Sequence, residues 1–327
     1  MTALPGAPRE PPLIAIVGPT ASGKTAVALA LSARINGELV SADAVAVYRG
    51  MDIGTAKPTQ SEQSRARFHL IDVADPDEDF TVADFEARAN AAIADIRRRG
   101  RTPILVGGTG LYVRSVTSRL AVPPVPPQPE LRKTLWERVE RDGARELHAE
   151  LTAVDPTSAS KILPGDAKRI IRALEVFEVT GRPLSTFHTA EGVHGIPREN
   201  TLILGLHVER PELYRRIERR VDIMMEDGLL DEVRGLRAAG YGTELKSQQS
   251  LGYRQLSTYL SGAGTLEEAV VATKRDTRRF AKRQISWFNG DPRLRWIDGE
   301  PELVAQAIVE RVERLANERA DMLIPDA

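Results

Sequence analysis

Leu13-Ile14-Ala15-Ile16-Val17-Gly18-Pro19-Thr20-Ala21-Ser22-Gly23-Lys24-Thr25 is the stretch that decides the fold. The unbroken apolar run Leu13–Val17 predicts a short buried strand. Gly18 to Gly23 predict a loop, and Lys24–Ile35, with Val27, Ala28 and Leu31 on one face, a helix. The octet Gly18–Thr25 fits the pattern G-x-x-x-x-G-K-[ST], and a strand before it with a helix after it is the context that gives the pattern meaning. Successive backbone N–H groups in such a loop face a common centre, and the helix N-terminus adds positive potential. Gly18, Pro19, Thr20, Ala21, Ser22, Gly23, Lys24 and Thr25 therefore form a phosphate cradle. Lys24 supplies a point charge, and the Thr25 hydroxyl can ligate Mg²⁺. Which phosphate compound it holds is not written in the loop.

The pattern continues outward. Glu38–Ser41 predicts a second strand, ending at Asp43. Phe85–Arg99 predicts a helix closed by Gly100, and Pro103–Val106 a third strand that runs at once into Gly107-Gly108-Thr109-Gly110. Apolar strands without polar alternation, separated by helices, imply a P-loop NTPase-like α/β core: a parallel sheet with helices on both faces. Ligands on such sheets bind at the carboxyl ends of the strands. Gly18–Thr25, Asp43 and Gly107–Gly110 all fall there. A nucleoside triphosphatase would place an acidic Mg²⁺ ligand at the end of a second strand. Ile104–Val106 ends in glycines and Thr109 instead, which argues against ATP hydrolysis, although the Asp43 strand offers an acid.

The chain has 327 residues, net charge −1 and no cysteine. It carries no global cationic field, so any basic surface is local. Disulfides and thiolate metal sites are excluded, and a reducing cytoplasm is the simplest compartment. Met1–Pro12 reads as a disordered leader without signal-peptide character, and no apolar run is long enough to span a bilayer. The proline-rich run Val122–Pro129 reads as a stiff linker. Residues Glu130 to about Thr180 then read as helices only, until Thr201–Leu206 returns to strand character. These changes predict a core of residues 13–122 and 198–327 with an all-helical insertion domain at 123–197. Long helices are expected at Pro211–Ala239, Thr265–Phe288 and Pro301–Asn317.

Several runs occur in a telling order: Gly18–Thr25, Ser41-Ala-Asp43, Tyr48–Pro58, Gly107-Gly-Thr-Gly-Leu-Tyr112, Arg169-Ile-Ile-Arg-Ala-Leu-Glu175, Leu251-Gly-Tyr-Arg254 and Thr277–Gln284. Together, from about Leu13 to about Phe288, they closely resemble the bacterial tRNA dimethylallyltransferases, also called tRNA isopentenyltransferases. The resemblance implies that the loop holds the diphosphate of dimethylallyl diphosphate. It implies that the acceptor is N6 of the adenine 3′ of the anticodon, at tRNA position 37, flipped into a channel. It further implies that the insertion embraces the anticodon stem-loop, with Mg²⁺ as cofactor.

An adenine amine is a poor nucleophile and needs a base placed to take its proton. Asp43 is the candidate; the alternative is that it merely caps a helix. Thr109 is expected where base and prenyl group meet, or else as a turn hydroxyl. Diphosphate departure calls for an arginine, and Arg216 and Arg220, four apart on one helix face, both match the family's pattern. Arg220 is preferred as catalytic, with Arg216 at the diphosphate; a solvated basic face is the alternative for each.

Lys274–Arg283 carries six basic residues in ten, as phosphate contacts require. The expected tRNA contacts are Asp43, Ala44, Val45, Ala46, Thr109, Arg278, Arg279, Lys282, Arg283 and Gln284. Arg132, Lys168, Arg169 and Arg172 are expected to add contacts from the insertion. Phe280 is expected in the core. Ala44 stands where the family usually has serine, Ala46 where a polar residue is common, and Leu163 and Gly165 where histidine and asparagine are usual. A small-molecule kinase and a noncatalytic RNA-binding ATPase module share parts of this pattern. The glycine end of the third strand and Thr277–Gln284 argue against the kinase, and the module has no need of Asp43. A monomer is the expected state.

Overall fold

The computed structural model describes residues 10–119, 123, 125–187, 195–299 and 301–310. In chain order the elements are β1 (Leu13–Val17), α1 (Lys24–Ile35), β2 (Gly37–Ser41), α2 (Gln60–Arg65), β3 (Phe68–His69), α3 (Val82–Arg98), β4 (Thr102–Gly107) and α4 (Gly110–Thr117). A two-residue strand, β5 (Ser118–Arg119), leads to α5 (Pro129–Asp142), α6 (Ala144–Val154), α7 (Pro156–Ala159) and α8 (Ala167–Thr180). The chain returns through β6 (Ile196–Pro197) to β7 (Thr201–Leu206), α9 (Arg210–Glu226), α10 (Leu229–Ala238), α11 (Tyr253–Leu260), α12 (Leu266–Asn289) and β8 (Arg295–Ile297). Residues 301–310 are helical; the remainder of the helix expected to reach Asn317 lies outside the described residues.

Two compact units result: residues 1–117 with 198–327, and Ser118–Pro197. The first holds a six-stranded sheet in the order β3-β2-β4-β1-β7-β8, every pairing parallel. This is the α/β architecture that the apolar strands imply. Side chains alternate across the sheet, and both faces are dry. Leu13, Ala15, Val17, Val40 and Leu105 pack with Phe85, Ala89, Ile93 and Ile96 of α3. Ile14, Ile16, Leu39, Ile104 and Leu204 pack with α1 and with Val304, Ala305 and Ile308 on the other face. Burial on both sides explains why these strands read as unbroken apolar runs.

Local chemistry sets most boundaries. Thr81 and Asp84 form a capping box, so α3 starts at Val82, a turn before Phe85. The helix expected over Pro211–Ala239 is two helices, because Gly228 takes φ 99° and α10 begins anew after it. Only glycine enters that left-handed region cheaply. Of the proposed leader, residues 1–9 lie outside the described residues. The next three are held: Arg97 Nε donates to Pro11 O at 3.0 Å and Asn200 Nδ2 to Glu10 O at 2.9 Å.

The second unit is helical apart from the β5–β6 pair. Its core is Leu135, Leu147, Leu151, Ile170, Ile171 and Leu174. Within the expected linker, Val122 and Pro124 lie outside the described residues. Downstream of them the chain is fastened by Glu175, fully buried on α8. Glu175 accepts from the Gln128 N–H and from Arg132 at 2.7 Å each, and from Arg172 at 2.5 Å. Arg172 in turn donates to Val125 O.

Candidate active site

The carboxyl ends of β1, β2 and β4 carry the phosphate loop, Asp43 and the Gly107–Gly110 turn. In the loop Ala21 takes φ 64° and Gly23 φ 90°; left-handed residues of this kind turn successive N–H groups to one side as an anion nest. Lys24 opens α1, and its Nζ donates to Pro19 O at 2.7 Å, so the ammonium leans back over the loop. Burial and the Arg220 guanidinium push the Lys24 pKa down to about 7, while Asp43 pulls it up.

Arg220 comes from α9, and its Nη1 lies 3.5 Å from Thr20 Oγ1. Burial lowers its pKa, opposed by Asp43 and Glu62. Two desolvated basic side chains therefore stand together at the mouth of the loop. Such a site gains most from a polyanion.

Asp43 Oδ1 accepts the N–H groups of Val45 at 2.9 Å and Ala46 at 3.2 Å. The local cap weighed as its alternative role is therefore present, but it occupies one carboxylate oxygen. Among the described residues no hydrogen bond reaches Oδ2. Thr109 Oγ1 accepts the Ala44 N–H at 3.0 Å, and Thr109 N donates to Ala42 O at 3.2 Å. The glycine turn is thereby stitched to the segment that carries Asp43.

Thr20, Lys24, Thr25, Asp43, Ala44, Val45, Ala46, Thr109 and Arg220 all line one cavity of about 580 Å³, the size of an ordinary small-ligand site. Its remaining wall is assembled from distant runs. Gly54, Thr55, Ala56 and Pro58 line it. This segment is held from behind by Glu232 of α10, which accepts the N–H groups of Asp52, Ile53 and Gly54 at 2.9, 2.8 and 3.2 Å. Tyr253 donates to the same carboxylate at 2.5 Å. Lys57, its side chain 4% exposed, ties the segment down by ion pairs to Asp52 and Asp72. Leu251, Gly252 and Arg254 complete that side, with Phe280, Arg283 and Trp287 of α12 opposite the sheet.

Several expected residues fall elsewhere. Arg216 does not line the cavity; it is exposed and pairs with Glu212 at 2.7 Å. It sits one turn before Arg220 on α9, with its guanidinium held by Glu212 rather than turned to the loop. Phe280 is a half-buried cavity wall rather than core, whereas Phe288 is core. Gln284 lines the cavity but is 6% exposed, off the basic surface, and its amide reaches backbone atoms at Thr20 and Gly108. Of the six cations over Lys274–Arg283, four are matched by acids: Lys274 with Asp222, Arg275 and Arg279 with Asp276, Arg278 with Glu218. Lys282 and Arg283 have no ion pair among the described residues, and Arg283 lies over the Phe280 ring. In the helical unit Arg132 and Arg172 are both engaged by Glu175. Arg169 pairs loosely with Asp166 at 3.4 Å, and Lys168 has no ion pair among the described residues.

The sequence reading missed Glu232 and Lys57. Lys57 lies inside the Tyr48–Pro58 run and was within reach. Glu232 belongs to an ordinary amphipathic helix and carries no local signal.

Fold and site define a P-loop α/β protein in which Lys24, Arg220 and the carboxylate of Asp43 line one cavity. A family model described as IPP transferase matches residues 46–291. The tRNA dimethylallyltransferase of Symbiobacterium thermophilum is 48% identical over 94% of this chain and 96% of its own. That of Geobacter metallireducens is 50% identical over 88% and 92%. Among solved structures, the tRNA isopentenylpyrophosphate transferase of Bacillus halodurans is 40% identical, with a TM-score of 0.69 over 95% of this chain and all of that one. A eukaryotic dimethylallyltransferase caught acting on tRNA is 28% identical, with a TM-score of 0.71 over 88% of this chain and 73% of its own. The chain belongs to the IPP transferase family.

Proposed function

We propose that this enzyme transfers the dimethylallyl group from dimethylallyl diphosphate to N6 of the adenosine 3′ of the anticodon, position 37 of tRNA, and releases diphosphate. The reading is carried by one observation: a carboxylate oxygen of Asp43 without a hydrogen-bond partner among the described residues shares a single cavity with Lys24 of the phosphate loop and Arg220 of α9.

The parts suit the reaction. The N6 lone pair forms a bond to C1 of the prenyl group as the C1–O bond breaks, its electrons leaving on the diphosphate. Asp43 Oδ2 takes the N6 proton, so nitrogen stays neutral as it alkylates. Oδ1 remains tied to Val45 and Ala46, which fixes the carboxylate plane. Thr109, facing the same cavity, orients the base. Lys24, Arg220 and the loop amides receive the negative charge that gathers on the leaving group.

Mg²⁺ keeps several waters and is bound largely through substrate phosphates. The Thr25 hydroxyl on the cavity wall is the protein donor that fits it. When bound, the ion supplies further charge neutralisation to the diphosphate.

For the RNA, Lys282 and Arg283 on α12 offer cations not already matched by acids, beside Phe280 and Trp287 at the cavity wall. Trp287 is braced by the Arg114 guanidinium 4.3 Å from its ring. Unpaired bases are commonly held on such aromatic faces. The helical unit adds Lys168, Arg169 and the Glu175-held Arg132 and Arg172 as stem contacts. The protein works as a monomer in the cytoplasm, and no described helix is long and apolar enough to cross a membrane.

The test is direct. Radiolabelled dimethylallyl diphosphate, Mg²⁺ and an unmodified anticodon stem-loop are incubated with the full chain. Label is expected in the RNA, and none in a stem-loop carrying guanosine for the adenosine next to the anticodon. Label in both loops, or in neither, contradicts the assignment.

A further inference from the structure

The side-chain amide of Gln284 has no part in the chemistry above, yet both of its ends are committed. It lies on the buried side of α12, 6% exposed. Its Oε1 accepts the Thr20 N–H at 2.8 Å, and its Nε2 donates to Gly108 O at 3.0 Å. Reversing the amide would set donor against donor and acceptor against acceptor, so its orientation is determined. The approach is close: a methyl on Gly108 would stand 2.2 Å from Gln284 Nε2.

The two backbones it joins belong to the two halves of the site. Thr20 is in the phosphate loop, with Arg220 at its hydroxyl. Gly108 precedes Thr109, whose hydroxyl holds Ala44, next to Asp43. A continuous path therefore runs from Arg220 through Thr20, Gln284, Gly108 and Thr109 to the Asp43 segment. No other described side chain hydrogen-bonds both loops.

We propose that Gln284 is a positioning residue for the transfer: it sets the separation and orientation of the diphosphate loop relative to the Asp43–Thr109 turn, so that the reacting carbon and nitrogen meet in line. This rests on the prenyl-transfer reading. Gln284 acts through the backbones it clamps, which separates it from a contact to RNA and from core packing. Displacement between two such halves is costly, because alignment of the reacting atoms contributes much of the rate.

Two variants of the full chain test it. Gln284→Met keeps the volume and deletes the amide. Gln284→Glu keeps an acceptor toward Thr20 but sets a carboxylate oxygen against Gly108 O. Single-turnover transfer is measured at saturating donor and stem-loop, alongside binding of inorganic pyrophosphate with Mg²⁺, binding of the stem-loop, and the unfolding midpoint. The single-turnover rate should fall by about 10- to 100-fold in both variants while each dissociation constant moves by less than about threefold. An unchanged rate at saturation with weakened stem-loop binding would make Gln284 an RNA contact and overturn the proposal. An unchanged rate with a lowered midpoint would make it packing and overturn it equally. If Gln284→Met does not fold, Gln284→Glu decides. Failure of the wild-type chain to transfer any label refutes the prenyl-transfer reading and this proposal together. Transfer at equal rates in wild type and variants refutes the proposal alone.

Discussion

Arg220 Nη1 stands 3.5 Å from Thr20 Oγ1, bringing a guanidinium from α9 onto a phosphate loop 200 residues earlier in the chain. Arg216, one turn before it, is turned to Glu212 and solvent. Sharing a helix face does not make the two arginines equivalent: Arg220 lines the cavity, whereas Arg216 does not and is paired with Glu212.

That difference is measurable. Arg220→Ala should lower kcat/KM for the prenyl donor by about 100-fold, the scale of losing one preorganised charge at a leaving group. Arg216→Ala should change it by less than about threefold, as for other exposed ion pairs. Steady-state kinetics with the donor varied decides between them; equal losses would contradict the placement.

The low pKa of Lys24 gives donor binding a pH signature. Burial and the Arg220 guanidinium hold it at about 7, so the amine is largely neutral above that pH. A bound polyanion favours the ammonium and raises the pKa. Binding above pH 7 therefore takes up a proton, and affinity falls as pH rises, with a limiting slope of about tenfold per unit. Calorimetry with inorganic pyrophosphate and Mg²⁺, in buffers of different ionisation enthalpy, should show this uptake at pH 8. Lys24→Met should remove that component, leaving only the ligand's own protonation.

Glu232 is the support of one cavity wall. Glu232→Ala leaves the N–H groups of Asp52, Ile53 and Gly54 and the Tyr253 hydroxyl without their acceptor. The expected loss is about 1–3 kcal/mol by urea unfolding, together with a raised KM for the donor. Wild-type stability in this variant would show that the Gly54–Pro58 wall stands without it.

Glu38 lies at the other end of the sheet, where β2 begins. It is 1% exposed, and hydrogen bonds from Arg99 and His69 hold its pKa near 2, against an ordinary 4.5, despite the opposing cost of burial. The unfolded chain therefore binds more protons than the folded one between these values. The contribution of the cluster is full above about pH 4.5 and is lost as pH falls toward 2. Glu38→Gln should cost roughly 1–3 kcal/mol at pH 7, discounted for the partly exposed arginine, and progressively less below pH 4.5. A difference from wild type that is flat across this range would contradict the assignment.

Much of this is legible in the sequence. The strand Leu13–Val17, the helix Lys24–Ile35 and the strand Thr201–Leu206 agree residue for residue with β1, α1 and β7. Each is specified by its own burial or cap. Asp43, Thr109 and the loop converge because strand ends in a parallel sheet converge. What was not legible depends on packing between distant elements. β3 and β8, with two and three residues, exist through pairing with β2 and β7 rather than through any pattern of their own. Gln284 looks like part of a basic run until the packing of α12 on the two loops buries it. Arg216 and Arg220 are indistinguishable until α9 is set against the loop. Glu232 leaves no trace in the sequence because its partners are backbone N–H groups, which every residue but proline carries.

The central claim is that Asp43 takes the proton from N6. Asp43→Ala is compared with wild type in single-turnover transfer from labelled dimethylallyl diphosphate to an anticodon stem-loop, with binding of the stem-loop and of pyrophosphate measured alongside. A fall in rate of about 100-fold or more, with both ligands still bound, is the predicted result. Transfer at the wild-type rate would leave Asp43 as the local cap of Val45 and Ala46 and require another base.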